Sequence, residues 1–342
     1  MPNFTRLAIH RVALACAANG DDNSSSQSTQ HRRHLLEDPQ ECVLYLKEIQ
    51  FKDPALHQAT WSCQVGSKQG QTRAATLGSA IMEVEGVPKE WIEAHPVISG
   101  QSVLKTRGAY VRESIATGEV TMVVPNGASV SIESLPEDDR RHCRQQQLRG
   151  RYNLDVIGNK TTLVVRVVDS QNHTVNATLA QLQDDVFLDS VSLKTQYAAC
   201  SHDQLIIEPA NVNSNTSKGV VEITLDVAVA NVSYRVLLSM VVTKAKKLYD
   251  GLSQFQFVLF CQPLHGNWLA YAYVNGRDSF YNGHWCQRVS AQMHEIGHNL
   301  GLHHSSVGTN EYGDKSGMMG YSYNEDDVPQ QCFNPTKNYQ LG

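Results

Sequence analysis

The segment Met293-His294-Glu295-Ile296-Gly297-His298-Asn299-Leu300-Gly301-Leu302-His303-His304 constrains this chain more than any other. His294 and His298 stand four residues apart, so on a helix they lie one turn apart on one face and can share a metal ion. Val289, Met293, Ile296 and Leu300 form the apolar stripe that buries the other side of that helix. Gly301 can take the left-handed conformation that ends a helix, after which the chain turns back and brings His304 to the same ion. Three neutral nitrogen ligands leave a fourth coordination position for water, as a catalytic zinc site requires and a structural one does not. Glu295 need not bind metal; its carboxylate is placed to take a proton from water and pass it to a leaving group. His294, Glu295, His298, Gly301 and His304 recur together by chance in a chain of this length with a probability on the order of 10^-4. His303 has the wrong spacing for the third ligand. Glu311 or Glu325 in that role is the rival arrangement, which Gly301 and His304 make unnecessary.

The net charge of -5 over 342 residues argues against nucleic-acid binding, which calls for a basic face. No apolar run approaches the ~18 residues of a membrane span. Asn3, Asn23, Asn159, Asn172, Asn176, Asn215 and Asn231 each head an Asn-x-Ser/Thr tripeptide, and there are eight cysteines. Together they favour a secreted glycoprotein with disulfides. Residues 1–18 end in small residues like a cleavage site, but His10 and Arg11 interrupt the apolar stretch, so this is a degenerate signal peptide.

Residues 19–40 read as a polar linker and residues 41–150 as a small β-rich domain. Thr121–Val124 and Ala128–Ile132 flank Pro125-Asn126-Gly127, a hairpin signal. The stretch Glu137 to Arg151 is rich in arginine and glutamine, and reads either as a solvated connector or as a processing site. Residues 151–342 mix α and β patterns, with strands at Thr162–Val168, Val220–Val229, Phe255–Cys261 and Trp268–Val274. Leu179, Leu182 and Val186 have helical spacing, and Tyr234–Tyr249 favours a helix. The fold class is therefore α+β.

The extended histidine pattern resembles that of the metzincin peptidases, with a methionine turn downstream at Tyr312-Gly313-Asp314-Lys315-Ser316-Gly317-Met318-Met319-Gly320-Tyr321. The segment from Gly297 to Leu302, the Glu311–Gly320 turn and Tyr281-Asn282-Gly283-His284-Trp285-Cys286 are most similar to the gametolysin family. The resemblance covers about residues 155–342. It implies a zincin-like domain with a mixed twisted sheet and an active-site helix at 287–300, preceded by a β-rich propeptide, so that the chain is a zymogen. It implies one catalytic Zn2+ on His294, His298 and His304, and Glu295 as general base in peptide-bond hydrolysis. Met319, or alternatively Met318, is the hydrophobic floor beneath the metal, and Tyr321 is placed to stabilise an oxyanion. Trp268–Val274 becomes the sheet's edge strand, on which a protein or glycoprotein substrate lies extended. The implied substrates are extracellular-matrix or cell-wall proteins, cleaved by a monomeric endopeptidase. The alternative is a wall-associated binding protein that keeps the fold without catalysis. Members of the family continue beyond a segment comparable to Asn338–Gly342, so part of the lower subdomain is expected to be missing.

If Cys16 leaves with the signal peptide, Cys200, Cys261, Cys286 and Cys332 can make two disulfides, and one of Cys42, Cys63 and Cys143 is unpaired. Cys143, beside Arg141, His142 and Arg144, is the expected odd cysteine. Its thiolate is a candidate latency ligand, as in the matrixin cysteine switch, although the matrixin motif is absent.

Overall fold

The computed structural model describes residues 31–36, 40–65, 81–115, 119–134, 156–212, 218–320 and 330–341. Its N-terminal half carries β1 (His31–Leu35), β2 (Gln40–Phe51), β3 (Gln58–Val65), β4 (Ile81–Glu85), β5 (Ser102–Thr106), β6 (Tyr110–Ser114), β7 (Val120–Val123) and β8 (Val130–Ser134), with one short helix, α1 (Lys89–Glu93). The C-terminal half adds β9 (Gly158–Val168), β10 (Leu205–Pro209), β11 (Val220–Thr224), β12 (Phe257–Gln262), β13 (Trp268–Tyr273) and β14 (Asp278–Asn282). Its helices are α2 (Leu179–Gln183), α3 (Leu193–Cys200), α4 (Tyr234–Leu248), α5 (Val289–Asn299) and α6 (Pro335–Leu341).

The C-terminal sheet is mixed. β9 pairs in parallel with β10, β11 and β12, and β12 in parallel with β14, while β13 is antiparallel to β14. Alternation along β9 explains its burial on both faces. Leu163, Val165 and Val167 pack with α4, through Leu237, Leu238, Val241 and Ala245. Val164 faces the other way, into the core that holds Met293 and Ile296 of α5 and Leu193 and Tyr197 of α3. The first turn of α4 is capped by Ser233, whose hydroxyl accepts from the Val236 amide, and Lys246 and Lys247 occupy its last turn, where the helix dipole favours cations.

β2 joins the two halves. It pairs antiparallel with β3 along one edge, and along the other with β5 through its first residues and with β13 through its last. Its side chains also divide: Cys42 and Leu44 enter the N-terminal core, whereas Tyr45 and Ile49 enter the core beneath α4. Lys47, buried by this arrangement, donates to Glu83 at 2.7 Å, and Arg235 of α4 pairs with Glu83 and Glu119 at 3.1 and 3.0 Å.

Three sequence expectations change. Residues 31–35, read as linker, pair with β6 as β1. The turn at Pro125–Ala128 forms, with Gly127 left-handed, but the flanking strands do not pair as a hairpin: β7 joins β4 and β6, and β8 joins β5. The six residues between Val123 and Val130 exceed a tight hairpin loop, and β5 offers β8 an unpaired edge beside Leu104. Finally, β13 borders the C-terminal sheet, but β2 covers the edge on which substrate was expected.

Disulfides join Cys200 to Cys332, Cys261 to Cys286 and Cys42 to Cys63. Cys143 lies outside the described residues.

Candidate metal centre

Every residue of α5 is buried. Its start is fixed by the Cys261–Cys286 bridge to β12 and by the Gln292 side chain, which donates to the Cys286 carbonyl at 2.6 Å. Its end is a Schellman motif. Gly301, at φ +91°, donates to the His298 carbonyl at 2.8 Å, and Leu302 donates to the Gly297 carbonyl at 3.0 Å. Asn299 ties this end to the sheet, donating to the carbonyls of Tyr273 and Asp278 at 3.1 and 3.3 Å.

The reversal at Gly301 brings His304 back beside His294 and His298, and one nitrogen from each lies within 4.8 Å of the others. The outward nitrogens are all committed. Nδ1 of His294 donates to the Met318 carbonyl at 2.7 Å, and Nδ1 of His298 to the Leu302 carbonyl at 2.8 Å. Nδ1 of His304 donates to the Glu311 carboxylate at 3.0 Å. Carbonyls and carboxylates only accept, so each Nδ1 carries a hydrogen, and the inward Nε2 is the nitrogen of each ring left to take a metal. Burial holds His294 well below the ordinary imidazole pKa, and burial also brings His298 down to about 3, with His304 lowering it further and the Glu48 charge opposing. Three buried imidazoles, each oriented by a backbone carbonyl or by Glu311, fit a divalent metal of zinc's chemistry.

The floor divides between the two methionines proposed for it. Met318 contributes its carbonyl to His294, while the Met319 sulfur lies directly under α5, where a β-carbon on Gly297 would stand 2.5 Å from it. Glu311, offered as a rival third ligand, accepts from Nδ1 of His304, and Glu48, His304 and Glu311 form a second group able to hold an ion; Glu325 lies outside the described residues. His303 is half exposed and turned away, with Nδ1 3.1 Å from Glu48. Glu295 is fully buried, with its Oε1 2.9 Å from the Gln50 amide. Tyr321 lies outside the described residues. Tyr312 instead stands in the site, its ring centroid 4.0 Å from that of His304 and its hydroxyl 3.5 Å from the Gln50 amide. Burial, then the Glu48 and Glu311 charges, raise its pKa, so it keeps its proton. A cavity of about 740 Å³ opens beside His304, with Glu48, His303 and Glu311 in its wall.

The sequence reading missed Glu48 and Gln50 of β2. Glu48 Oε2 is 3.1 Å from His304 Nε2, and the Gln50 amide lies 3.2, 3.4 and 2.8 Å from Nε2 of His294, His298 and His304. The available signal was a pair of polar residues at alternate positions of the otherwise apolar run Leu44-Tyr45-Leu46-Lys47-Glu48-Ile49-Gln50.

A helix carrying two histidines and a glutamate, a glycine reversal and a third histidine over a methionine turn are the arrangement that a metallopeptidase site calls for. Residues 161–342 match the family model described as Gametolysin peptidase M11, and the chain belongs to that family. No curated protein and no solved structure matches it.

Proposed function

We propose that the protein is a secreted zinc-dependent endopeptidase, acting on extracellular-matrix or cell-wall proteins, in which His294, His298 and His304 hold one Zn2+. The observation that carries this reading is the convergence of three inward Nε2 atoms beside Glu295 and against β13. When bound, zinc supplies Lewis-acid polarisation of the scissile carbonyl and acidifies the attacking water. Glu295 takes the proton from that water and returns it to the leaving amine. A substrate in extended form pairs with the backbone of β13, which reads both sides of the scissile bond and so favours an endopeptidase. Tyr312, protonated and directed at the site, donates to the developing oxyanion; Tyr321 is the sequence-based alternative for this role.

The compartment is supported by three disulfides and by Asn159, Asn172, Asn176 and Asn231, all exposed. Among the described residues, no helix is long and apolar enough to cross a membrane. The N-terminal half is a propeptide in this reading, since β2 lies on the proposed substrate strand. Cleavage within Glu137–Arg151, outside the described residues, would free it. The enzyme is proposed to act as a monomer.

The test is cleavage of a denatured protein by the proteolytically processed chain and its Glu295→Ala variant, with zinc measured in both. Zinc retained in both, with the variant slowed about 10²–10⁴-fold, supports the mechanism. Equal zinc with no cleavage by either protein would favour the non-catalytic binding protein.

A further inference from the structure

β13 is bulged where it passes the metal centre. Phe51 of β2 lies opposite Trp268 and Ile49 opposite Tyr271, so Leu269 and Ala270 together face Gln50. A bulge re-aims the side chain it opposes, and here Gln50 is fully buried against the three histidines. Hydrogen bonding fixes which way its amide points. The NH2 group donates to the Ala270 carbonyl at 2.8 Å and to Glu295 Oε1 at 2.9 Å. The carbonyl oxygen therefore takes the other position, at 3.2, 3.4 and 2.8 Å from the three Nε2 atoms. The oxygen thus shares one point with the three Nε2 atoms: it accepts from them where they carry hydrogen, and stands beside them as a further ligand atom where a metal replaces those hydrogens. Ligands held tetrahedrally at 2.0–2.1 Å from zinc are about 3.3 Å apart; the Gln50 position matches that spacing to His294 and His298, at 3.2 and 3.4 Å, and is closer to His304, at 2.8 Å.

Accepting that the three histidines hold a metal, we propose that the Gln50 side-chain oxygen is its fourth ligand in the uncut chain, making β2 a built-in plug that copies a bound amide substrate. The carbonyl end occupies the position of a scissile carbonyl, and the NH2 end satisfies the general base Glu295 and the β13 backbone. A neutral amide is a weak ligand, so the plug is held chiefly by its strand. β2 pairs with β13, buries Ile49 and Tyr45 under α4, and is braced by the Lys47–Glu83–Arg235 ion pairs. Tethering raises the local concentration of the amide far above that of water's competitors in solution. Glu48, two residues earlier on the same face, approaches only one metal-facing nitrogen within hydrogen-bonding distance and is also engaged by His303.

The experiment uses the full uncut chain loaded with Co2+ and titrated with azide, read by visible absorption. Peptide cleavage is not the readout, because β2 covers β13 in every variant. The variants are Gln50→Ala, Gln50→Asn, whose amide is one methylene too short to reach, Gln50→Glu, which restores a ligand, and Glu48→Gln. The expected result is a wild-type spectrum that azide leaves unchanged, a response in Gln50→Ala and Gln50→Asn with apparent affinity about 100-fold higher, and a silent Gln50→Glu. Wild-type protein that binds azide as tightly as Gln50→Asn overturns the proposal, whether or not Gln50→Ala folds. So does a site opened by Glu48→Gln but not by Gln50→Asn. Folded wild-type protein that takes up no Co2+ overturns the metal site itself, a failure distinct from an azide-accessible one.

Discussion

A β-carbon at position 297 would stand 2.5 Å from the Met319 sulfur and 3.1 Å from the Phe333 ring. Gly297→Ala must therefore push Met319 away from the helix that carries two of the proposed ligands. Overpacking of this kind costs about 1–3 kcal/mol, and a urea melt of the variant is expected to show that loss together with weaker zinc retention. Tyr312 is the other residue whose role follows from its placement. Tyr312→Phe is expected to lower kcat of the processed enzyme about 10²-fold with zinc content unchanged, the scale of losing one oxyanion donor. If Tyr321→Phe gives that loss and Tyr312→Phe does not, the donor is Tyr321. The convergence of His294, His298 and His304, the proposed ligands, was legible in the sequence because their geometry is local, a helical four-residue step and a glycine reversal. Gln50 was not, because it lies 244 residues from His294 and reaches it only through the register of β2 on β13.

Strands and helices of the C-terminal half were read from periodicity wherever one face or one length settled the matter, as at β9, α4 and α5. What periodicity does not carry is partnership. Ala128–Ile132 alternates as a strand should, yet its spatial neighbour is β5 across the N-terminal core. The end of β9 shows a further dependence on distant contacts. Asp169 is fully buried and accepts from the amides of Gln171, His173 and Val229 at 2.8, 2.7 and 3.0 Å, and from the His173 ring at 3.0 Å. Burial raises its pKa, but these donors outweigh burial and hold it at about 2. The folded value lies below the ordinary 3.8, so the ionised carboxylate stabilises the fold above that pH, and the contribution is lost as pH falls through about 2. Asp169→Asn is expected to lose about 1–3 kcal/mol at neutral pH. Chemical denaturation as a function of pH checks this, and the gap between wild type and variant should narrow toward pH 2.

At the scale of the whole molecule, one sheet runs through both halves, and the strand joining them lies where substrate is proposed to bind. Synthesis as one chain thus delivers a folded site with its access strand already paired. Activation in this account is removal of β2 from β13, with little change in the orientation of the histidines, whose Nδ1 atoms are held at 2.7–3.0 Å by Met318, Leu302 and Glu311 of the C-terminal half. All of this depends on where the metal lies. Anomalous diffraction at the zinc edge, from crystals of the full chain grown without chelator, locates it directly. The account predicts a single peak about 2.0–2.1 Å from Nε2 of His294, His298 and His304. A peak held instead among Glu48, His304 and Glu311, the other group able to hold an ion among the described residues, would contradict it, as would zinc-bearing crystals with no peak at the triad.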